Sequence, residues 1–489
     1  MHKKSSNETV SQNQSNTETK GVKTLLGDPK KAIIKLAIPM IIAMFIQTLY
    51  NFVDALWVSG FGANIFTSEQ ISTTGKTALA AVGFVLPVYM ILIAISTGIG
   101  LGAGSAISRK IGANNKEGAD NAAIHAIILS VIIAIIFTII IYFSSDGIFR
   151  WMGAGESWEL AVIYSKIVFA GSIIVFFTNI AYSILRAEGD AKRTMYAIII
   201  GAIANIILDP IFIYTFKLGI AGAAYATVLS LILTSIILMY WMFFKKDTYI
   251  KFKFRDFKFK KEIVLDIFDV GLPASFQQLS LSITMIIINY IIVNVAYAGD
   301  NGVAIYSTGW RVVQMAILPM LGLATAIVSV TGATYGAKDF KKLNTAFMFS
   351  INFGLVIEIV IALSTFLLAP LITAMFTTGQ GSQVIVPDLI LFLQIVCLFY
   401  PGAAIGIASS SLFQGTGKGL YSLLTTLLRT IILMPILAIT FCCLLKAGLV
   451  GIWWAIVVAN LVGSIVSFTW AKIYVHDLMK QKIMVKIQY

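Results

Sequence analysis

The sequence predicts an all-α integral membrane protein with twelve transmembrane helices in two six-helix lobes related by a parallel pseudo-twofold axis. Three observations carry this. Hydrophobic residues make up 58% of the 489 and charged ones 12%, with mean hydropathy +0.88, a composition outside the soluble range. Apolar stretches long enough to cross a ~30 Å hydrocarbon core, about 20 or more residues each, fall at 32–60, 77–104, 121–145, 157–185, 193–216, 219–244, 264–298, 302–334, 340–368, 384–413, 419–443 and 448–474. Finally, motifs of the first half return in the second in the same order.

From the N-terminus, residues 1–28 are rich in Ser, Asn, Thr, Gln and Lys and should form a disordered cytoplasmic tail. No apolar run precedes the first span, so no cleavable signal peptide is expected. Asp28-Pro29 opens the first helix as N-cap and first-turn residue, where the missing proline N–H costs nothing. The first lobe takes 29–244, a basic linker 245–262, the second lobe 263–476 and a cytoplasmic tail 477–489. Pro39 has a counterpart in Pro273 of the seventh span, so a kink, and a candidate hinge, is expected at Pro39. Cys397, Cys442 and Cys443 lie within spans in no metal or disulfide pattern and read as small core residues.

Of the 36 Lys and Arg, 29 lie on one side if the N-terminus is cytoplasmic, and only Lys76, Arg150, Lys217 and Lys446 lie on the other. Lys166, Arg311 and Arg429 fall within spans. That asymmetry predicts a cell-membrane protein with both termini in the cytoplasm. The net charge of +13 is then a topology signal, and no nucleic-acid partner is expected. The duplication is read from three pairs. Ile111–Ala122 (IGANNKEGADNA) matches Tyr335–Ala346 (YGAKDFKKLNTA) at a shift of 224, Ser183–Gly189 matches Ser411–Gly417 at 228, and Gly219–Ala226 matches Gly448–Ala455 at 229. Six spans separate the repeats, so the halves share one orientation.

Asp54 and Asp209 are the most informative residues, because an ionisable group in hydrocarbon costs roughly 2.5–3.5 kcal/mol on insertion scales and marks an ion or substrate path by default. Gln47, Tyr50, Asn51 and Asp54 are spaced three, four and seven apart, so they share one helix face. At 1.5 Å per residue Asp54, Asp209 and Thr227 lie about 9, 10 and 12 Å below the outer ends of their spans. Asn205 is one turn deeper than Asp209, and Pro210 cannot donate to the Ile206 carbonyl. Two carboxylates, an amide, a hydroxyl and a carbonyl would suit Na⁺, and a carboxylate pair would equally suit a proton. The bland alternative makes Asp209 a structural group satisfied by Asn205, with Thr227 bonded to its own helix.

The first span (QTLYNFVDALWVSGFG), the Arg109–Gly112 loop, Leu185–Asp190 (LRAEGD) and Asn205–Pro210 (NIILDP) together resemble the multidrug and toxic compound extrusion (MATE) family, over essentially the whole chain after residue 28. The resemblance implies a two-lobed, V-shaped fold that exports organic cations in exchange for H⁺ or Na⁺. It points to Asp54, Asn205, Asp209 and Thr227 as the cation site, in the branch that carries it in the N-terminal lobe. Tyr164 and Asn179 are implied as neighbours, and Gln47, Tyr50 and Asn51 as substrate or coupling residues. Relatives that flip lipid-linked sugars share the architecture and give the alternative reading.

The second half lacks this constellation, having Gln277, Gln278 and Asn289 in its first span and Thr430 and Leu433 in its fifth. Its deep acid, Glu358, is expected to pair with Arg311, with Arg429 as the competing partner and a second cation site at Glu358 as the alternative. The 58 aromatics and 16 methionines suit a forgiving cavity for small lipophilic, often cationic substrates. A flippase would need a cationic cluster, for which Arg311, Arg429 and Lys166 are the candidates. An embedded enzyme would need Asp-rich or HExxH motifs, which His2, His125 and His476 do not form. The expectation is a monomeric transporter among membrane lipids, not an enzyme, with no cofactor beyond its coupling ion.

Overall fold

The computed structural model describes residues 19–58, 76–245, 247–377 and 382–487. Its helices form twelve spans when the fourth, bent by 48°, is taken as one. In the first lobe these are Pro29–Val58, Lys76–Gly112, Lys116–Trp151, Trp158–Ala187, Ala191–Thr215 and Gly219–Phe244. In the second they are Lys261–Asn294, Gly299–Gly336, Phe340–Phe376, Val386–Gly415, Gly419–Leu444 and Gly448–Ile487. The fourth span breaks at Gly171 and the eighth at Ile317. Span 1 opens as expected: Asp28 Oδ1 accepts the Lys30 N–H at 3.0 Å, and Pro39 is buried inside a continuous helix.

The duplication is visible in the backbone. Left-handed residues recur at the motif shifts: Asn114 (φ 55°) with Lys338 (φ 53°), Gly189 (φ 86°) with Gly417 (φ 84°), and Lys217 (φ 55°) with Lys446 (φ 53°). The same turns are capped alike, Asn115 accepting from Gly118 N and Asp339 from Lys342 N. Spans 5 and 6 each end in a π-helix, at Ile211–Thr215 and Tyr240–Phe244. Span 11 contains two, at Leu428–Leu433 and Thr440–Leu444.

Two expectations about the ends are corrected. Residues 20–26, assigned to the disordered tail, form a helix capped by Thr19 whose Val22 and Leu25 are buried. Its neighbours are spans 1 and 8, and Gly21 lies against the Glu188–Gly189 turn. Span 12, expected to end near residue 476, runs on to Ile487. The linker also docks: Thr248, Tyr249 and Ile250 are buried, Glu188 accepts the Tyr249 and Ile250 N–H groups, and Asp120 accepts that of Lys251.

The lobes meet at the end that carries the basic loops. Glycines allow this approach: a Cβ on Gly112 would stand 1.9 Å from the Ala333 carbonyl oxygen, one on Gly336 1.9 Å from that of Arg109, and one on Gly102 2.1 Å from that of Ile267. Arg109 bridges the seam to Asp266 at 2.5 Å. Toward the opposite end, spans 1 and 7 expose Leu49, Phe52, Phe276 and Ile286.

Candidate cation site

Spans 1 and 5 pack along each other, and this brings Asp54 beside Asp209. Asn205 and Asp209, one turn apart, face the same way, and Asn205 Nδ2 donates to Asp209 Oδ1 at 3.3 Å. Both are buried, Asp209 completely. After that bond Asp54 Oδ1, Asp209 Oδ2 and Asn205 Oδ1 remain buried with no donor among the described residues, the two carboxyl groups lying within hydrogen-bond reach of each other. All three are acceptors, and buried acceptors without a donor each cost about 1–3 kcal/mol. A group of oxygens in that state fits a proton or a hard monovalent cation, which would satisfy several of them at once.

The surrounding shell is aromatic. Tyr50, one turn before Asp54, lies within electrostatic reach of both aspartates, as does Tyr164 of span 4. Tyr89 of span 2 lies near Asp54 and Tyr50 as well. The sequence reading missed Tyr89; its signal was a phenol hydroxyl within the apolar run 78–95 of span 2. Thr227 donates to the Ala223 carbonyl of its own helix at 3.0 Å, as the bland alternative held, although its oxygen keeps acceptor capacity.

The remaining expected members have polar or open surroundings of their own. Asn179 donates to Ser96 Oγ and to the Val175 carbonyl, both at 3.1 Å, and so ties span 4 to span 2. Gln47 and Asn51 are exposed while Tyr50 and Asp54 are partly covered, which splits the polar stripe into a protein-facing and an open edge. A polar edge at membrane depth is tolerated where it lines a water-filled cavity.

The second lobe uses its polar groups differently. Gln277 bonds Ser410, Gln414, Ser422 and Thr426 at 2.9–3.1 Å, a closed network with no charge in it. The expected Glu358–Arg311 pair does not form: both Glu358 oxygens are buried without a partner among the described residues, and Arg311 is exposed. Arg429 is not the alternative partner either, since its side chain lies between Gly406 and Gly463. Spans 8 and 9 place the two charges on faces that do not meet, which helix depth alone could not reveal.

The MatE family profile matches residues 39–211 and 273–440, the cores of both lobes. The multidrug export protein MepA of Staphylococcus aureus is 27% identical over 433 residues, spanning 88% of this chain and 90% of its own. A crystal structure of a MATE in complex with MaL6 is 44% identical, with TM-score 0.89 over 94% of this chain and 100% of that one. An outward-facing multidrug resistance MATE family transporter of the MOP superfamily is 45% identical, with TM-score 0.89 over 95% and 99%. A MOP superfamily transporter from Pyrococcus furiosus, for which reverse polarity of the binding pocket is said to suggest a different function, is 44% identical, with TM-score 0.89 over 94% and 99%.

Proposed function

This chain belongs to the MatE family of multidrug efflux transporters, and on that premise we propose that it exports lipophilic organic cations from the cell in exchange for H⁺ or Na⁺, bound at Asp54, Asn205 and Asp209 with Thr227 beside them. The observation that carries the reading is the set of buried, unpartnered oxygens shared by spans 1 and 5. The protein works as a monomer in the cell membrane with both termini inside. Closure of the lobes at the basic end then supports an outward-open state, from which drug leaves and the driving cation enters.

An inward cation gradient does work only if cation and drug favour different states of the protein. A tenfold concentration gradient supplies about 1.4 kcal/mol. The membrane potential, about 2.3 kcal/mol per charge per 100 mV, cancels when one monovalent cation exchanges for one monovalent drug. The flippase alternative needs a cationic cluster, and its candidates have separate surroundings: Lys166 lies over the Tyr142 ring at 5.3 Å, Arg311 is exposed, and Arg429 is wedged between glycines.

The test is efflux of a fluorescent cation from vesicles with pH and Na⁺ gradients imposed separately. Asp54→Asn and Asp209→Asn should each abolish gradient-driven export while the protein reaches the membrane and still binds drug. Wild-type export by both variants would return the aspartates to a structural role.

A further inference from the structure

The interior of the second lobe holds a guanidinium that no described side chain neutralises. Arg429 of span 11 lies ten residues beyond Gly419, where that span opens at the basic end, so at 1.5 Å per residue it stands about 15 Å into a ~30 Å core. Its side chain points into the lobe. A Cβ on Gly406 of span 10 would meet Nη1 at 3.0 Å, and one on Gly463 of span 12 would meet Cβ, Cγ and Cδ at 2.7–3.3 Å. Nε is buried with no partner among the described residues, and no described carboxylate forms an ion pair with the group. Ser464 Oγ, 2.9 Å from the same Gly406 Cβ position, is also buried without a described partner. One turn toward the basic end, Thr426 belongs to the neutral Gln277 network, which supplies no negative charge.

The duplication shows how the lobe is shaped around this arginine. Span 11 follows span 5 at a shift of 228 from its start, whereas the π-helices Ile211–Thr215 and Thr440–Leu444 correspond at 229. One residue is therefore added within span 11, and the π-helix Leu428–Leu433, which span 5 lacks, takes it up through i→i+5 bonding. At the shift of 228 Arg429 stands over Gly201 and Gly406 over Thr178; at 229 Gly463 stands over Thr234. The contact between the two spans is repeated with its sizes exchanged, since a Cβ on Gly201 would stand 2.4 Å from Thr234 Oγ1. Where the first lobe sets a glycine against a threonine, the second sets an arginine against a glycine, and Gly406 replaces a second threonine. The socket fits the arginine stem, while the donor end is left without a protein partner.

A guanidinium has only donors and stays charged in proteins, and charge at this depth that faces the bundle interior marks a ligand path by default. Its planar fork binds a carboxylate through two parallel hydrogen bonds. One arginine with one hydroxyl matches one carboxylate, whereas a lipid-linked pyrophosphate calls for a cluster of cations. We propose that Arg429 and Ser464 form an anion-binding subsite of the second lobe, which takes the carboxylate of zwitterionic drugs. This rests on the efflux reading above and extends its substrates from lipophilic cations to molecules that carry both charges.

The probes that test it are a rhodamine methyl ester, a monocation, and the corresponding free acid, a zwitterion at neutral pH. Their binding to the purified full chain and their export from phosphatidylcholine vesicles are measured for wild type, Arg429→Gln, Arg429→Lys, Ser464→Ala and Asp209→Asn. Wild type should bind and export both dyes. Arg429→Gln should weaken binding of the acid about tenfold or more, the scale of a charge-assisted hydrogen-bond pair, and leave the ester's affinity unchanged. Arg429→Lys keeps the charge without the fork and should fall between the two. Ser464→Ala should weaken the acid alone, by about fivefold, the scale of one hydrogen bond. Wild type that does not bind the acid overturns the proposal, as does a loss in Arg429→Gln shared equally by both dyes or confined to the melting temperature. If Arg429→Gln does not reach the membrane, Ser464→Ala decides by the same criterion. Asp209→Asn separates this proposal from the reading it rests on: it should stop gradient-driven export of both dyes and leave binding of the acid intact. Normal export of both dyes by Asp209→Asn would remove the cation-site reading, and the binding results alone would then decide the subsite.

Discussion

At the scale of single residues, Glu188 shows what a buried charge outside the spans does. Its side chain is almost fully covered, and Oε2 accepts the N–H groups of Tyr249 and Ile250 at 2.9 and 3.0 Å. Burial pushes its carboxyl up to about 7, the two N–H donors opposing that only in part. A raised acid favours the folded protein most when protonated. Its contribution should therefore fall as pH rises from the ordinary value of 4.5 through about 7. Thermal melting in detergent from pH 5 to 8 should show that decline, and Glu188→Gln should flatten it; equal slopes in the two proteins would refute the assignment. Asp54 and Asp209 were legible in the sequence because charge inside an apolar run is conspicuous. Glu188 was not, since its partners lie some 60 residues away and no periodicity links a loop acid to a linker amide.

At the scale of elements, the start of span 1 was readable from its cap at Asp28-Pro29, whereas span 3, expected from 121, starts at Lys116 behind an Asn115 cap. The helix at Lys20–Leu26 was hidden, because two buried apolar side chains in seven residues do not stand out from a polar tail. The glycine seam was also hidden, since a glycine that serves close approach looks like any other until its neighbour is known. Gly112 and Gly336 have negative φ, so only space forbids a side chain there. Gly112→Ala or Gly336→Ala would press a methyl group into the facing backbone, and the lobes would have to separate. Overpacking of this kind costs about 1–3 kcal/mol. Each variant should melt lower than wild type, whereas Gly147→Ala, which meets nothing within 4 Å, should not. Unchanged melting in both seam variants would mean that the seam adapts freely.

At the scale of the whole molecule, the charge count predicts which side the seam faces, and the ion pair across it predicts how the lobes respond when it is cut. Reporter fusions in the 245–262 linker and at residue 489 should both read cytoplasmic, as the 29 to 4 distribution of Lys and Arg requires; an external signal from either would break the topology. On that side Arg109 of the first lobe donates to Asp266 of span 7 at 2.5 Å and to the Gly415 carbonyl at the end of span 10 at 3.4 Å. Ser105 adds a bond to the Gln414 carbonyl at 2.5 Å. The Arg109 side chain is mostly covered and that of Asp266 about one-third exposed, so the pair lies between a surface bridge of 0–1 kcal/mol and a buried one whose rupture costs about 3–5 kcal/mol. Removing the carboxylate should weaken closure by about 1.4 kcal/mol and shift the ratio of closed to open basic ends about tenfold. Spin labels on the exposed Lys192 and Lys341, one in each lobe, would report that ratio as a distance distribution. Asp266→Asn should enlarge the long-distance population, and Asp266→Glu should restore much of the short one, because a charge is returned within reach of the guanidinium. A distribution that Asp266→Asn leaves unchanged would show that the glycine contacts alone hold the basic end shut.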